Sequence, residues 1–319
     1  MSLFLVLVAA IGAMLPIGAK TRGDYIKYAE FNVTYQALCD ALEMDIESYG
    51  GDVHLSWIEL LSFLGAKYGG DFSKYKTTHL LEYARRLESG ESAEKVGKEL
   101  KYYDYYKQVY SAVLGGFLGD YELKESENGQ TGTKKQYGLV VYSPIGASFA
   151  YSHYDDFGAQ RTYGYSRPHL GHDMMAATGT PVIAVEDGVV EAMGWNEYGG
   201  WRIGVRSFDK KRYYYYAHLR QNRPFHPDVA EGETVKAGQV IGYVGRTGYS
   251  KEENVNGIET SHLHIGMELV FDESQKESQN EIWIDMYAIT KLLESHKSQV
   301  VRIAETKEFY GETQQIPTE

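Results

Sequence analysis

The 319-residue chain is long enough for about two domains at roughly 150 residues each. Its net charge of -12 argues against a nucleic-acid backbone or an anionic membrane surface as the main partner, while 43% hydrophobic and 24% charged residues describe a packed globular protein. A single cysteine, Cys39, excludes an intrachain disulfide and a thiolate metal cluster.

Residues 1–19 are apolar and uncharged up to Lys20, a pattern that predicts a signal peptide or a membrane anchor, with the anchoring stretch at 3–19. The basic flank that usually precedes such a segment is missing, and Lys20 and Arg22 follow it instead. From 20 to 124 the spacing is helical. In YQALCDALEMDIESY, Leu38, Leu42 and Ile46 form one stripe; HLSWIELLSFLGAKYGG has a Ser56 cap and a Gly69-Gly70 stop. THLLEYARRLESG ends at Gly90, and SAEKVGKELKYYDYYKQVYSAVLGGF continues the pattern. Glu43 and Glu59 on these helices lack a second carboxylate in a supporting motif, so they read as solvated face residues rather than a glycosidase pair.

The polar run KESENGQTGTKK cannot bury a core, which predicts a linker at 125–135. Beyond it come short β-rich runs bounded by glycine, proline and acidic turns: YGLVVYSPI, PVIAVEDGVVEAMGW, WRIGVRSF, RYYYYAHL, GQVIGYVG and SHLHIGMELVF. Their spacing suggests an antiparallel sandwich or barrel at 136–285. Tyr213 to Tyr216 would alternate faces on a strand, two to the core and two to a surface or cleft. The segment IDMYAITKLLESHKSQVVRIAE predicts a C-terminal helix within 286–319. The fold class is therefore α+β: helices first, then an antiparallel β domain, then a closing helix.

Chemistry concentrates in two places. In SHLHI, His262 and His264 share a strand face while Leu263 points away. In RPHLGHD, His169 and Asp173 are an i, i+4 pair that can converge on one ion, with Gly171 allowing the backbone to approach and turn. His169, Asp173 and one histidine of SHLHI supply three ligands and leave a fourth position open, the pattern of catalytic rather than structural zinc. His172 faces differently and is excluded as a ligand. His218, at the end of a strand, is either an ordinary strand-end residue or a proton carrier beside the metal.

These segments, HLGHD, GTPVIAVEDGVV, YYYYAHL, EGETVKAGQVIGYVGRTG and SHLHI, stand in the order seen in M23 (lysostaphin/LytM-like) metallopeptidases, which the chain resembles over roughly residues 136–272. The resemblance implies a hybrid-motif β fold, one Zn²⁺ held by His169, Asp173 and His264, and His262 and His218 as catalytic histidines. It also implies peptidoglycan peptides as substrate and action outside the cytoplasm. Tyr163, Tyr165, Tyr198 and Trp201, in loops near the motifs, are candidates for lining the groove. Two His and one carboxylate also suit a non-haem iron oxygenase, though with closer spacing. A wall-binding or partner-activating relative would lack one of the five motif residues, and all five are present. Self-inhibition would require the helical region or the linker to cover the cleft.

Overall fold

A computed structural model describes residues 26–319 apart from 128–129, 277, 279, 313–314 and 318–319. The apolar segment at 1–19 thus lies outside the described residues. No helix among the described residues is long and apolar enough to cross a membrane.

The described residues open with five α-helices: α1 (Tyr35–Ser48), α2 (Trp57–Tyr68), α3 (Thr77–Glu88), α4 (Ala93–Lys98) and α5 (Tyr103–Leu114). Helix α2 ends where the sequence says it must, with Gly69 left-handed at φ 63. Its start is capped otherwise than expected. The Ser56 side chain makes no cap bond, and the buried Asp45 of α1 accepts from the Trp57 N–H at 2.8 Å and from the Tyr137 hydroxyl at 2.9 Å. The carboxylate thereby ties α1, α2 and the next element together. Glu43 is exposed and Glu59 pairs with Lys107.

The polar run expected as a linker is instead part of a hairpin, β1 (Leu118–Glu127) and β2 (Gln130–Leu139), joined through residues 128–129 with Glu127 opposite Gln130. Low hydrophobicity misled the reading. A two-stranded ribbon needs little apolar surface when its backbone groups are paired in a ladder, and the Asn128-Gly129 dipeptide in the sequence is a hairpin signal in its own right.

The histidine-motif region follows with β3 (Tyr151–Tyr154), the short pair β4 (Gln160–Arg161) and β5 (Arg167–Pro168), β6 (His172–Ala176), β7 (Pro181–Ile183), β8 (Gly188–Asn196), β9 (Gly200–Ser207) and β10 (Arg212–Ala217). Next come β11 (Thr234–Val235), β12 (Val240–Tyr243), β13 (His262–Leu269) and β14 (Ile282–Ile284). The main sheet has the order β11-β8-β9-β10-β13-β6-β3, with β14 continuing along β13, and all its pairings are antiparallel. Strands β12 and β7 pair separately. One face of the main sheet is core: Tyr214, Tyr216, Leu263, Ile265 and Met267 are fully buried.

The C-terminal segment departs from the expected helix. A short α6 (Tyr287–Leu292) is followed by β15 (Gln299–Arg302), β16 (Phe309–Glu312) and β17 (Gln315–Pro317), the last pairing with β1. Val300 and Val301 are β-branched, which favours strand over helix once a partner strand is available.

A buried ion pair locks the helices to the sheet. Arg212, at the start of β10, is 1% exposed; its guanidinium donates to both Glu186 oxygens at 2.8 and 2.7 Å and to the Ala112 carbonyl of α5 at 2.8 Å. The Tyr214 hydroxyl donates to Glu186 as well, at 2.8 Å.

Candidate metal and catalytic site

Cross-strand register assembles the site. In the β6–β13 ladder His264 stands directly opposite Asp173, and Ala217 of β10 stands opposite His264 on the other side. Asp173, His262, His264, Tyr213 and Tyr215 therefore project from the sheet face away from the core. Tyr214 and Tyr216 go to the core, as the alternation requires.

His169 sits just ahead of β6, where Gly158 N–H donates to its carbonyl and its own N–H donates to Ala159. Its Nε2 lies 3.1 Å from Asp173 Oδ1 and 2.9 Å from His264 Nδ1, and His264 Nδ1 is 3.0 Å from the same Asp173 oxygen. Three donor atoms thus occupy the corners of a nearly equilateral triangle. The His169 Nδ1–H donates to the Asp156 backbone carbonyl at 3.4 Å, with Asp156 Oδ1 2.9 Å away beside it, which leaves Nε2 with its lone pair turned inward. Lone pairs converging on a carboxylate oxygen repel unless a cation lies among them. A tetrahedral zinc with bonds of about 2.0 Å has donor separations of about 3.3 Å. The donor set and its spacing accommodate a metal ion with a few tenths of an ångström of adjustment.

Electrostatics favour the metal-ready protonation states. Burial alone raises the Asp173 carboxyl, but the contacts with His169 and His264 hold it far below the usual carboxylate range. Burial lowers His264, against the opposing pull of Asp173, so its imidazole stays neutral. Arg161 donates to Asp156 Oδ2 at 2.5 Å and lies 3.3 Å from Asp173 Oδ2, leaving Oδ1 to the triangle.

Gly171 acts through space rather than conformation. A Cβ there would fall 2.5 Å from His264 Nε2 and 2.9 Å from the Ile265 carbonyl oxygen. His172 points to the opposite face of β6, where it meets His153 Nδ1 at 2.7 Å and the Tyr287 ring. It takes no part in the triangle.

Two further histidines complete the arrangement. His262 Nδ1–H donates to the Thr260 carbonyl at 2.8 Å, and its Nε2 lies 3.7 Å from Asp173 Oδ1. His218 Nδ1–H donates to the Thr247 carbonyl at 2.9 Å, and the two rings are 4.8 Å apart in an edge-on contact. Each ring is thereby held as the tautomer whose Nε2 carries a lone pair. Burial, with repulsion from His262 and His264, pushes His218 well below the ordinary histidine range. Strand alternation would send His218 to the core with Tyr214 and Tyr216. A left-handed backbone at φ 59 takes it off that alternation and into the cleft.

The cleft has a volume of about 740 Å³, and every described residue lining it lies between Tyr154 and Trp283. Among the described residues, none from the helices or the β1–β2 hairpin lines it. Of the four aromatic candidates, Tyr198 lines the cleft, and Tyr163 stacks on Tyr249, another lining residue, at 4.7 Å. Tyr165 packs against the Tyr198 ring. Trp201 does not reach the cleft; it packs between Trp195 and Phe225, with its indole N–H donating to Asn254. Asp156, Arg161 and Tyr249 carry no motif in the sequence. Asp156 lies in a loop and Arg161 in the two-residue strand β4, and only chain closure brings them to His169.

Residues 167–279 match Peptidase family M23. Over 124 residues the chain is 41% identical to the L-Ala–D-Glu endopeptidase of Bacillus subtilis (strain 168), covering 39% of this chain and 36% of that protein. Over 98 residues it is 42% identical to the glycyl-glycine endopeptidase ALE-1 of Staphylococcus capitis, covering 30% of this chain and 24% of that one. The chain thus spans about a third of these curated relatives or less. A crystal structure from Ruminococcus gnavus, provisionally assigned as a glycyl-glycine endopeptidase lytM, superposes with a TM-score of 0.56 at 22% identity. It covers 86% of this chain and 92% of that one, a likeness of fold that extends beyond the β domain.

Proposed function

We propose that this chain, through the M23 peptidase domain at residues 167–279, is a metal-dependent endopeptidase that hydrolyses peptide bonds of bacterial cell-wall peptidoglycan. The observation that carries the reading is the triangle of His169 Nε2, Asp173 Oδ1 and His264 Nδ1 on the wall of an open cleft, beside two histidines with tethered Nδ1 atoms. The relatives' activities as an L-Ala–D-Glu and a glycyl-glycine endopeptidase support the substrate class.

In this reading His169, Asp173 and His264 hold one Zn²⁺, because two imidazoles and one carboxylate without thiolate are the donors of a catalytic site with an open position. Bound there, the ion would supply Lewis acidity toward the scissile carbonyl and toward the attacking water. The chain's own residues do the rest. The Asp156 backbone carbonyl keeps the His169 proton on Nδ1, the Asp156 carboxylate adds a negative charge 2.9 Å from that nitrogen, and Arg161 keeps Asp173 oriented. His262 Nε2, adjoining the triangle, accepts a proton from the attacking water and returns it to the leaving amine. His218, neutral and edge-on to His262, steadies that ring and faces the same space. Such a substrate lies outside the cytoplasm, which agrees with an export or anchoring role for residues 1–19, a helical accessory region at 20–124 and a peptidase domain at 136–285.

The test is metal analysis combined with release of new amino termini from purified sacculi. His169→Ala is expected to lose zinc; His262→Ala is expected to keep zinc and lose hydrolysis by about two to four orders of magnitude. Undiminished turnover by His262→Ala, or by wild-type protein in chelator, would overturn the proposal.

A further inference from the structure

The cleft carries two guanidinium groups that the hydrolytic machinery does not use. Arg161, Arg167 and Arg202 all line it, and Arg161 is neutralised by Asp156 and Asp173. Arg202, half-buried on β9, has no carboxylate within ion-pair distance among the described residues. Arg167 has none either; it donates to the Tyr163 carbonyl at 2.7 Å and lies 4.4 Å over the Tyr198 ring. Elsewhere, half-buried or buried arginines of this acidic chain are paired: Arg86 with Glu91, Arg206 with Glu273 and Arg212 with Glu186. Glutamates 191, 259, 268 and 281 line the same cleft, yet among the described residues no ion pair joins any of them to Arg202 or Arg167. Glu191 is held by Lys276, and Glu281 accepts from the Trp283 indole N–H at 2.8 Å.

Resting on the peptidase reading above, we infer that Arg202, assisted by Arg167, binds a free carboxylate of the substrate, so that the cleft selects acidic stem peptides over neutral glycine bridges. The fork of a guanidinium matches a carboxylate in two parallel hydrogen bonds, and a neutral bridge would leave both cations without a counter-charge. Position agrees. Tyr215, whose hydroxyl accepts from Asn196 at 3.0 Å, lines the cleft together with Arg202 and Arg167. Arg202 stands on β9, two strands from His264 of β13 at about 4.8 Å per strand, a span of about three residues of extended chain. The recognised carboxylate therefore belongs within about three residues of the scissile bond. A γ-linked D-glutamyl residue in a stem peptide offers a free α-carboxylate at such a place.

The experiment measures binding to the full-length, zinc-loaded His262→Ala protein by calorimetry. Its probes are L-Ala-γ-D-Glu-L-Lys, the same peptide with that α-carboxylate amidated, and pentaglycine. The acidic peptide is expected to bind about tenfold or more tighter than the amide. Adding Arg202→Gln should erase that preference while leaving the amide and pentaglycine unchanged, and Arg202→Lys should restore part of it. Arg167→Gln should reduce the preference to a smaller degree. Equal binding of acid and amide, or a uniform loss across all three probes in Arg202→Gln, overturns the inference. Wild-type hydrolysis is scored separately. Cleavage without acid preference sinks the carboxylate site alone, whereas acid preference in binding without any cleavage sinks the peptidase reading alone.

Discussion

Replacing Gly171 by alanine tests whether the metal triangle depends on backbone space. The residue's φ is unexceptional, so alanine meets no conformational penalty, and the whole effect comes from its methyl group. That carbon would fall 2.5 Å from His264 Nε2, whereas an ordinary contact needs about 3.5 Å, so the imidazole must retreat by about 1 Å. The Ile265 carbonyl at 2.9 Å closes the alternative of moving the methyl along the sheet. Metal sites hold their ligand distances within about 0.2 Å, so a shift of this size removes His264 from the donor set. Zinc affinity is expected to fall at least a hundredfold, about 2.7 kcal/mol, and overpacking should cost the metal-free fold about 1–3 kcal/mol. Competition against a chromogenic chelator gives the first quantity, and urea denaturation of the chelated protein gives the second. Zinc affinity within threefold of wild type in a folded Gly171→Ala protein would refute the argument that this glycine is there to admit the His264 ring.

Three further outcomes are expected. Asp156→Ala removes the carboxylate beside His169 Nδ1 and the ion-pair partner of Arg161, and zinc affinity should drop about ten- to a hundredfold with little change in the thermal midpoint; unchanged affinity would remove the Asp156 side chain from the site. Glu186→Gln leaves the guanidinium of Arg212 buried without its bidentate partner and should cost about 3 kcal/mol in denaturant unfolding, seen as a lower midpoint at constant slope. His172 is 1% exposed, and burial together with His153 lowers it to about 3, below an unfolded value of about 6.5. Between those values the unfolded chain binds a proton that the folded one refuses, so stability falls as pH falls below 6.5. From pH 7 to pH 5 this group alone should remove about 2 kcal/mol, and His172→Asn should flatten that part of the pH–stability curve of the chelated protein.

Much of the site is local in the sequence. Period-two geometry suffices to put His262 and His264 on one face and to divide Tyr213 to Tyr216 between cleft and core. Three of the five helices begin and end close to where apolar spacing and glycine stops place them. The hairpin at 118–139 shows in the sequence only as its Asn-Gly turn, because polar strands owe their existence to the partner they pair with, and β17 is hidden because its partner β1 lies nearly two hundred residues away.

Residue types and spacing alone determined which side chains can bear the chemistry: imidazoles and a carboxylate with no thiolate, in two segments some ninety residues apart. Tertiary structure decided everything that depends on closure. The register of β6 against β13 sets Asp173 opposite His264, the motif-free segment running into β4 delivers Asp156 and Arg161 behind His169, and a left-handed turn moves His218 across the sheet plane. The physical reason is that side-chain direction along one strand follows from bond geometry, whereas distances between segments follow from which backbone groups pair and which side chains exclude one another.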